Sequence, residues 1–147
     1  MKIYYDTGIL LKLYLNEPDS SRVRRYVVER GNALLINSFH QAEMTSAIQL
    51  KVFRKECSQA QARVTLEHIE ADRRENVLIQ TTLDWNQAWS KCVELSTAHS
   101  RSTGCRTLDT LHLACAVIIE TDRFVTSDER QIRLAKRIGM DVVNPVR

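Results

Sequence analysis

The sequence has little of the glycine and proline that mark flexible or low-complexity regions. Four glycines and two prolines are spread over 147 residues, so neither a flexible linker nor a low-complexity tail is expected. A chain of this length forms one domain of ordinary size. We therefore expect residues 1–147 to fold as a single domain.

Long hydrophobic runs are missing as well. No apolar stretch approaches the roughly 18 residues needed to cross a bilayer. The first residues reach an acid at Asp6 without the apolar core of a secretory signal. The sequence thus predicts no membrane partner and a cytoplasmic location.

The cysteines lack the close spacing of structural zinc ligands. They lie at positions 57, 92, 105 and 115, and no two are separated by two to four residues. In a reducing compartment such cysteines are expected to be small buried hydrophobes. The formal net charge of +3 permits a polyanionic partner without identifying one.

Glycine-rich phosphate loops are absent too. Neither G-x-G-x-x-G nor G-x-x-x-x-G-K occurs, which argues against a nucleotide-binding enzyme. A phosphoaspartate enzyme or receiver module would bring a second acid close to Asp6, but Thr7 and Gly8 follow it. Both classes are therefore disfavoured.

Short apolar segments alternate with helical patterns along the chain. Strands are predicted at residues 2–5, 33–36, 77–79, 124–126 and 141–143, and helices at 9–15, 22–30, 38–57, 58–75, 84–99, 107–120 and 128–137. A polar loop is predicted at 100–104. No tight hairpin joins two strands, so the connections are crossovers. We predict an α/β fold, a three-layer α/β/α sandwich with a mainly parallel five-stranded sheet.

Four acids fall at one edge of this predicted sheet. Asp6 follows the first strand and Asp128 the fourth, while Glu43 and Asp109 lie in the first turns of helices at the same edge. Open parallel sheets bind ligands beyond the carboxyl ends of their strands. We call Asp6, Glu43, Asp109 and Asp128 the acidic cluster.

Gathered carboxylates repel one another and raise each other's pKa, which a hard divalent cation relieves. Ligation by oxygen alone favours Mg²⁺ or Mn²⁺, and such a site can hydrolyse phosphodiesters with activated water. Each acid alone could instead cap a helix, Asp128 above all. Glu43 and Asp109 are embedded in apolar sequence, where an unpaired acid is costly.

Neighbouring polar residues are secondary candidates with two open interpretations each. Thr7 and Thr126 could orient carboxylates or water, or serve as helix caps. His112 shares a helix face with Asp109 and could be a core or supporting residue, or act as a general base. Arg106 could contact a scissile phosphate or pair with an acid.

Two further features bear on partners. Basic stretches at 22–25 and 51–55 could follow RNA or be solvated helix faces. The apolar helix with Ile9, Leu10, Leu13 and Tyr14, and the stripe with Trp85 and Trp89, offer surplus hydrophobic surface. Symmetric dimers commonly bury such surface, so a homodimer is expected.

The motifs that carry these acids also resemble a known family. They are Tyr5-Asp6-Thr7-Gly8-Ile9-Leu10 followed by Glu17-Pro18-Asp19-Ser20, then Ala42-Glu43, then Arg106-Thr107-Leu108-Asp109-Thr110-Leu111-His112, and finally Phe124-Val125-Thr126-Ser127-Asp128. In this order and spacing the sequence resembles the PIN domain nucleases, most closely the VapC-type toxins of toxin-antitoxin pairs. The resemblance covers essentially the whole chain.

The resemblance implies an endoribonuclease whose acidic cluster binds Mg²⁺ or Mn²⁺. It also implies an RNA substrate, a homodimer and a cognate antitoxin protein. Gly8 stands where the family usually has Ser or Asn, and Thr110 where Ala is common. The alternative is a non-catalytic PIN-like module that binds RNA or protein, although such a binder would have no physical need for four crowded acids.

Overall fold

The computed structural model describes all residues from Met1 to Arg147. Its strands are β1 (Ile3–Tyr5), β2 (Leu34–Ile36), β3 (Leu78–Gln80), β4 (Arg123–Val125) and β5 (Asp141–Val143). Its helices are α1 (Thr7–Tyr14), α2 (Ser20–Arg30), α3 (Ser38–Phe53), α4 (Gln59–Arg74), α5 (Trp85–Thr103), α6 (Thr107–Ile118) and α7 (Glu129–Arg137).

All strand pairs are parallel, as predicted, but the five strands form two hydrogen-bonded groups. One group has the order β1-β4-β5 and the other pairs β2 with β3. Strand β1 contacts β2, so the strands lie in the order β3, β2, β1, β4, β5. The predicted α/β class is confirmed, whereas one continuous five-stranded ladder is not formed.

His40 explains part of the break between β1 and β2. It is fully buried, and its Nε2 donates to the carbonyl oxygen of Tyr5 at 2.9 Å. Its Nδ1 accepts the backbone N–H of Asn37 at 3.1 Å, while Asn37 Oδ1 caps the start of α3. A side chain thus satisfies a strand carbonyl at the junction, where a neighbouring strand would otherwise donate.

The alternation of side chains along β1 divides the core into two layers. Ile3 and Tyr5 belong to the apolar cluster that includes Ile9 and Leu10 of α1. Tyr4 points into the second cluster, where its ring stacks on Phe124 with centroids 5.5 Å apart. Because successive strand residues face opposite sides of the sheet, helices cover both faces and the sandwich has three layers.

The predicted polar loop at residues 100–104 is wrong, because α5 continues to Thr103. The hydroxyls of Ser102 and Thr103 donate to the carbonyl oxygen of His99 within the helix, so polar residues there do not break it. The helix ends at Gly104, whose φ of +71° lies in the left-handed region. Glycine adopts this conformation readily and commonly ends helices.

The predicted surplus of hydrophobic surface is smaller than expected. Ile9 and Leu10 are fully buried within the chain, so neither can contact a second copy. Trp85 packs partly against the core, whereas Trp89 keeps 45% of its surface exposed.

Three of the four free cysteines are buried and Cys57 is half-buried, as the sequence predicts. None of the helices is both long and apolar enough to span a membrane.

Burial of His40 makes the stability of the fold depend on pH. Desolvation lowers the pKa of His40 to about 3, from 6.5, so the folded state disfavours the proton that the unfolded chain accepts. The unfolding free energy of the wild type should therefore fall as pH decreases below 6.5, with a slope that approaches about 1.4 kcal/mol per pH unit. We expect His40→Gln to lack this decrease. Chemical denaturation from pH 7 to 4, with His99→Gln as the control, measures it. Equal pH dependence in wild type and His40→Gln would contradict the assignment.

Candidate active site

The carboxyl edge of the sheet brings the acidic cluster into one region. Asp6 follows β1 and caps α1, and Asp128 follows β4 and caps α7. Glu43 lies in the second turn of α3, and Asp109 in the first turn of α6. The strand ends and helix starts that the sequence predicts therefore place all four acids at the same edge.

Asp6 is the most buried acid, with 7% of its surface exposed. Its Oδ1 accepts the backbone N–H of Ile9 at 2.8 Å, and its Oδ2 accepts the hydroxyl of Thr126 at 2.5 Å. Burial raises the pKa of Asp6, the two hydrogen bonds partly oppose this, and the charge of Asp128 adds to it. The chain thus holds this carboxyl group in one orientation at an energetic cost when it is ionised.

Thr126 connects Asp6 to Asp128. Its hydroxyl oxygen accepts the backbone N–H of Asp128 at 3.0 Å while the side chain reaches Asp6. Asp128 Oδ1 accepts the backbone N–H groups of Arg130 and Gln131 at 2.8 and 2.9 Å. The interpretation of Asp128 as a helix cap is correct, and its second oxygen makes no protein hydrogen bond.

Glu43 lies between two donors from other helices. The hydroxyl of Thr7 in α1 donates to its Oε1 at 2.7 Å, and Nε2 of His112 in α6 lies 2.5 Å from the same oxygen. Burial raises the pKa of Glu43. The hydrogen bond and charge of His112, together with the hydrogen bond from Thr7, lower it by more than burial raises it, so the pKa of Glu43 is below its usual value. The expectation that every acid of the cluster has a raised pKa is therefore wrong for Glu43.

His112 is itself held from behind by Tyr4. The imidazole is buried, and its Nδ1 lies 2.8 Å from the hydroxyl of Tyr4. Because a carboxylate only accepts hydrogen bonds, Nε2 carries the proton that faces Glu43. Nδ1 faces the Tyr4 hydroxyl, so a buried chain of contacts runs from Tyr4 through His112 to Glu43.

Asp109 differs from the other acids because its side chain makes no hydrogen bond to the protein and is half-exposed. Burial raises its pKa, and the charges of Asp128 and Glu43 raise it further. His112 and Arg130 act in the opposite direction. Asp109 thus shows the carboxylate repulsion that the sequence predicts.

Sequence reasoning missed two residues at this edge. The charge of Arg130, like that of His112, lowers the pKa of Asp109. The Arg130 side chain lies next to Gly104. Gln131 is buried, and its Nε2 donates to the backbone oxygen of Asp109 at 3.2 Å. The sequence signal for both residues was their position two and three residues after Asp128, in the first turn of the helix that Asp128 caps. Arg106 is exposed and forms no ion pair with the acidic cluster.

No group of three or more His, Cys, Asp or Glu side chains is placed to hold a metal ion in this arrangement. Carboxylate oxygens of Asp6, Glu43 and Asp128 instead accept hydrogen bonds from protein N–H and O–H groups. The donor chemistry nevertheless suits Mg²⁺ or Mn²⁺, because four carboxylates lie at one edge of the sheet and burial raises the pKa of two of them, Asp6 and Asp109. Metal ligation by the acidic cluster stays a prediction.

Comparison with known proteins gives three results. The family model of the PIN domain matches residues 3–137. The chain is 30% identical over 145 residues to Ribonuclease VapC46 of Mycobacterium tuberculosis, covering 97% of each protein. It also superimposes on the crystal structure of FitAcB from Neisseria gonorrhoeae with a TM-score of 0.68, covering 97% of each chain at 14% identity. The last comparison supports the fold alone.

Removal of the Asp109 charge should stabilise the protein in metal-free buffer. The raised pKa of Asp109 means that its ionised form destabilises the folded state at neutral pH, and this effect fades as pH falls through the folded pKa. We expect Asp109→Asn to raise the unfolding free energy at pH 7 by less than about 1 kcal/mol, since the group is half-exposed. Thermal unfolding checks this, with Asp19→Asn as the control. A lower melting temperature for Asp109→Asn would contradict it.

Proposed function

The chain belongs to the PIN domain family, and on that premise we propose that it is a metal-dependent endoribonuclease that acts as the toxin of a toxin-antitoxin pair. Support comes from the family match over residues 3–137 and from a relative named as a ribonuclease along nearly its whole length. The observation that carries the proposal is the acidic cluster at one edge of the sheet, with its raised pKa values at Asp6 and Asp109.

The acidic cluster would hold Mg²⁺ or Mn²⁺. Asp109, the second oxygen of Asp128 and the second oxygen of Glu43 make no protein hydrogen bonds and are therefore free to ligate. When bound, such a cation supplies an acidified water molecule and neutralises charge on a phosphodiester. The oxygen-only donor set and the repulsion around Asp109 both favour a hard divalent cation.

Glu43 is prepared for this role by residues behind it. Thr7 and His112 keep one oxygen of Glu43 fixed and its carboxyl group ionised, which leaves the other oxygen for a cation or a water proton. We propose that Thr7 and His112 are positioning residues, because they act through Glu43. Tyr4 fixes the imidazole plane in turn.

Thr126 has the same role for the other half of the cluster. Its single hydroxyl contacts Asp6 and accepts from the backbone of Asp128, so the two acids keep a fixed relation. Arg106 and Arg130 are exposed at this edge. We propose that they contact RNA phosphates, since guanidinium groups bind phosphate oxygens well.

Gly8 leaves open space beside Asp6. A Cβ atom at position 8 would lie 3.5 Å from Oδ1 of Asp6, an ordinary van der Waals contact. The glycine is therefore not required by crowding, because a Cβ atom would fit there. Because position 8 is glycine, no side-chain hydroxyl is available there to hold water or substrate near Asp6.

A cognate antitoxin and a second copy of the chain are the proposed protein partners. Both follow from the resemblance to VapC-type toxins. Helix α5 offers apolar surface for such a contact, because Trp89 and Val93 lie one helical turn apart with 45% and 66% of their surfaces exposed. The competing proposal is a PIN-like module that binds RNA or protein without cleaving it.

Cleavage of single-stranded RNA tests the proposed function. We expect cutting that requires Mg²⁺ or Mn²⁺, stops with EDTA, and leaves 5′-phosphate and 3′-hydroxyl ends, because water and not the 2′-hydroxyl attacks. Asp6→Asn should abolish it, and Glu43→Gln should remain inactive with metal while still binding RNA. Gel analysis of end-labelled RNA and of product termini measures these outcomes.

The matched control is Asp19→Asn, which removes a carboxylate whose side chain caps nothing and should leave cleavage intact. Cyclic-phosphate ends would contradict the mechanism. Cleavage that is indifferent to EDTA or to loss of Asp6 would contradict the site. Binding of RNA without any cleavage would favour the non-catalytic module.

A further inference from the structure

Two helices, α2 and α7, carry most of the positive charge of the protein. Helix α2 contains four arginines, at positions 22, 24, 25 and 30, and one acid, Glu29. Its net charge is +3, and α7 has the same net charge, because four basic residues there outnumber one acid, Glu129. These two helices are therefore the main sources of electrostatic attraction for a polyanion.

Part of this charge lines a groove between α2 and the segment that follows β5. The groove has a volume of about 370 Å³ and is bordered by Arg22, Arg25, Tyr26, Glu29, Pro145 and Arg147, which together we call the arginine groove. Nη1 of Arg22 donates to the backbone oxygen of Val146 at 2.8 Å. This contact fixes one guanidinium at the rim and leaves its other N–H groups available.

The C-terminal segment links the arginine groove to the edge of the sheet that carries the acidic cluster. The segment from Asn144 follows the carboxyl end of β5, which lies at the same edge of the sheet as Asp6. Arg147 pairs with Glu129, and Glu129 directly follows Asp128. The ion pair between Arg147 and Glu129 thus joins the groove to the start of α7, beside Asp128.

We propose that the arginine groove binds the phosphate backbone of the single-stranded RNA substrate, on one side of the cleaved bond. This inference rests on the proposed function. Guanidinium groups form paired hydrogen bonds to phosphate oxygens, and Arg22 and Arg25 are both exposed on the groove side. The half-buried ring of Tyr26 adds an aromatic wall, a feature that suits single strands because every base can stack.

Continuity with the acidic cluster favours RNA over an acidic protein as the occupant. A substrate held at the acids meets Arg106 and Arg130 first and can continue past the start of α7 along the C-terminal segment to the arginine groove. An antitoxin would need no such path to the cleaved phosphodiester. The competing interpretation is a groove that binds an acidic protein and not RNA, in which case substitutions in the groove would leave RNA binding unchanged.

The experiment measures binding of a fluorescent 12-nucleotide single-stranded RNA to the Asp6→Asn protein, at several salt concentrations. Arg22→Gln with Arg25→Gln should weaken binding about tenfold near 0.1 M salt. It should also reduce the slope of log affinity against log salt by about 1.4, since each phosphate contact on a single strand contributes about 0.7.

The matched control removes Arg74 and Arg137 instead. Both are exposed in the last turns of helices that lead to the amino ends of strands, at the opposite edge of the sheet. The control changes the net charge equally and should leave the slope unchanged. Cleavage by the enzyme with an intact acidic cluster is then followed with both pairs of substitutions, and the groove pair should raise KM for the 12-nucleotide RNA.

Equal binding and equal salt slopes for the groove pair and the control pair would overturn the proposal, whether or not an acidic protein binds there. Loss of RNA binding in the groove pair alone supports it. Failure of the proposed function looks different: the unmodified protein would then bind RNA with the expected salt slope but never cleave it with Mg²⁺ or Mn²⁺.

Discussion

The rest of the site depends on one buried carboxyl group at the end of β1. Asp6 is nearly excluded from water, yet it starts α1 by accepting the N–H of Ile9 and joins the end of β4 through Thr126. A buried carboxylate is costly unless it is hydrogen-bonded or ligated. The chain supplies two hydrogen bonds, and its raised pKa shows that they do not fully offset the burial.

The other acids are arranged around this constraint with different degrees of support. Glu43 is held in its ionised form by Thr7 and His112, whereas Asp109 has no hydrogen-bonded partner and is repelled by its neighbours. The cluster therefore combines three acids held by hydrogen bonds with one, Asp109, whose side chain makes none. Such a division suits a site that must gather its carboxylates around a cation only when the cation binds.

The sequence predicted the α/β class and the placement of the acidic cluster well, because strand ends and helix starts follow local patterns of apolar and capping residues. It failed at residues 100–104, where Ser102 and Thr103 satisfy their hydroxyls within the helix. It also missed the contact between His40 and Tyr5 that interrupts the sheet, and the opposite pKa directions of Glu43 and Asp109. These features depend on partners distant along the chain, which periodicity does not reveal.

Calorimetric titration of Mn²⁺ into the metal-free protein tests the central claim most directly, because it needs no knowledge of the RNA target. The account predicts saturable binding that Asp109→Asn weakens at least tenfold, by about 1.4 kcal/mol or more, while Asp19→Asn binds like the wild type. Circular dichroism establishes that each variant is folded. Equal Mn²⁺ affinity in the wild type and Asp109→Asn would contradict the account.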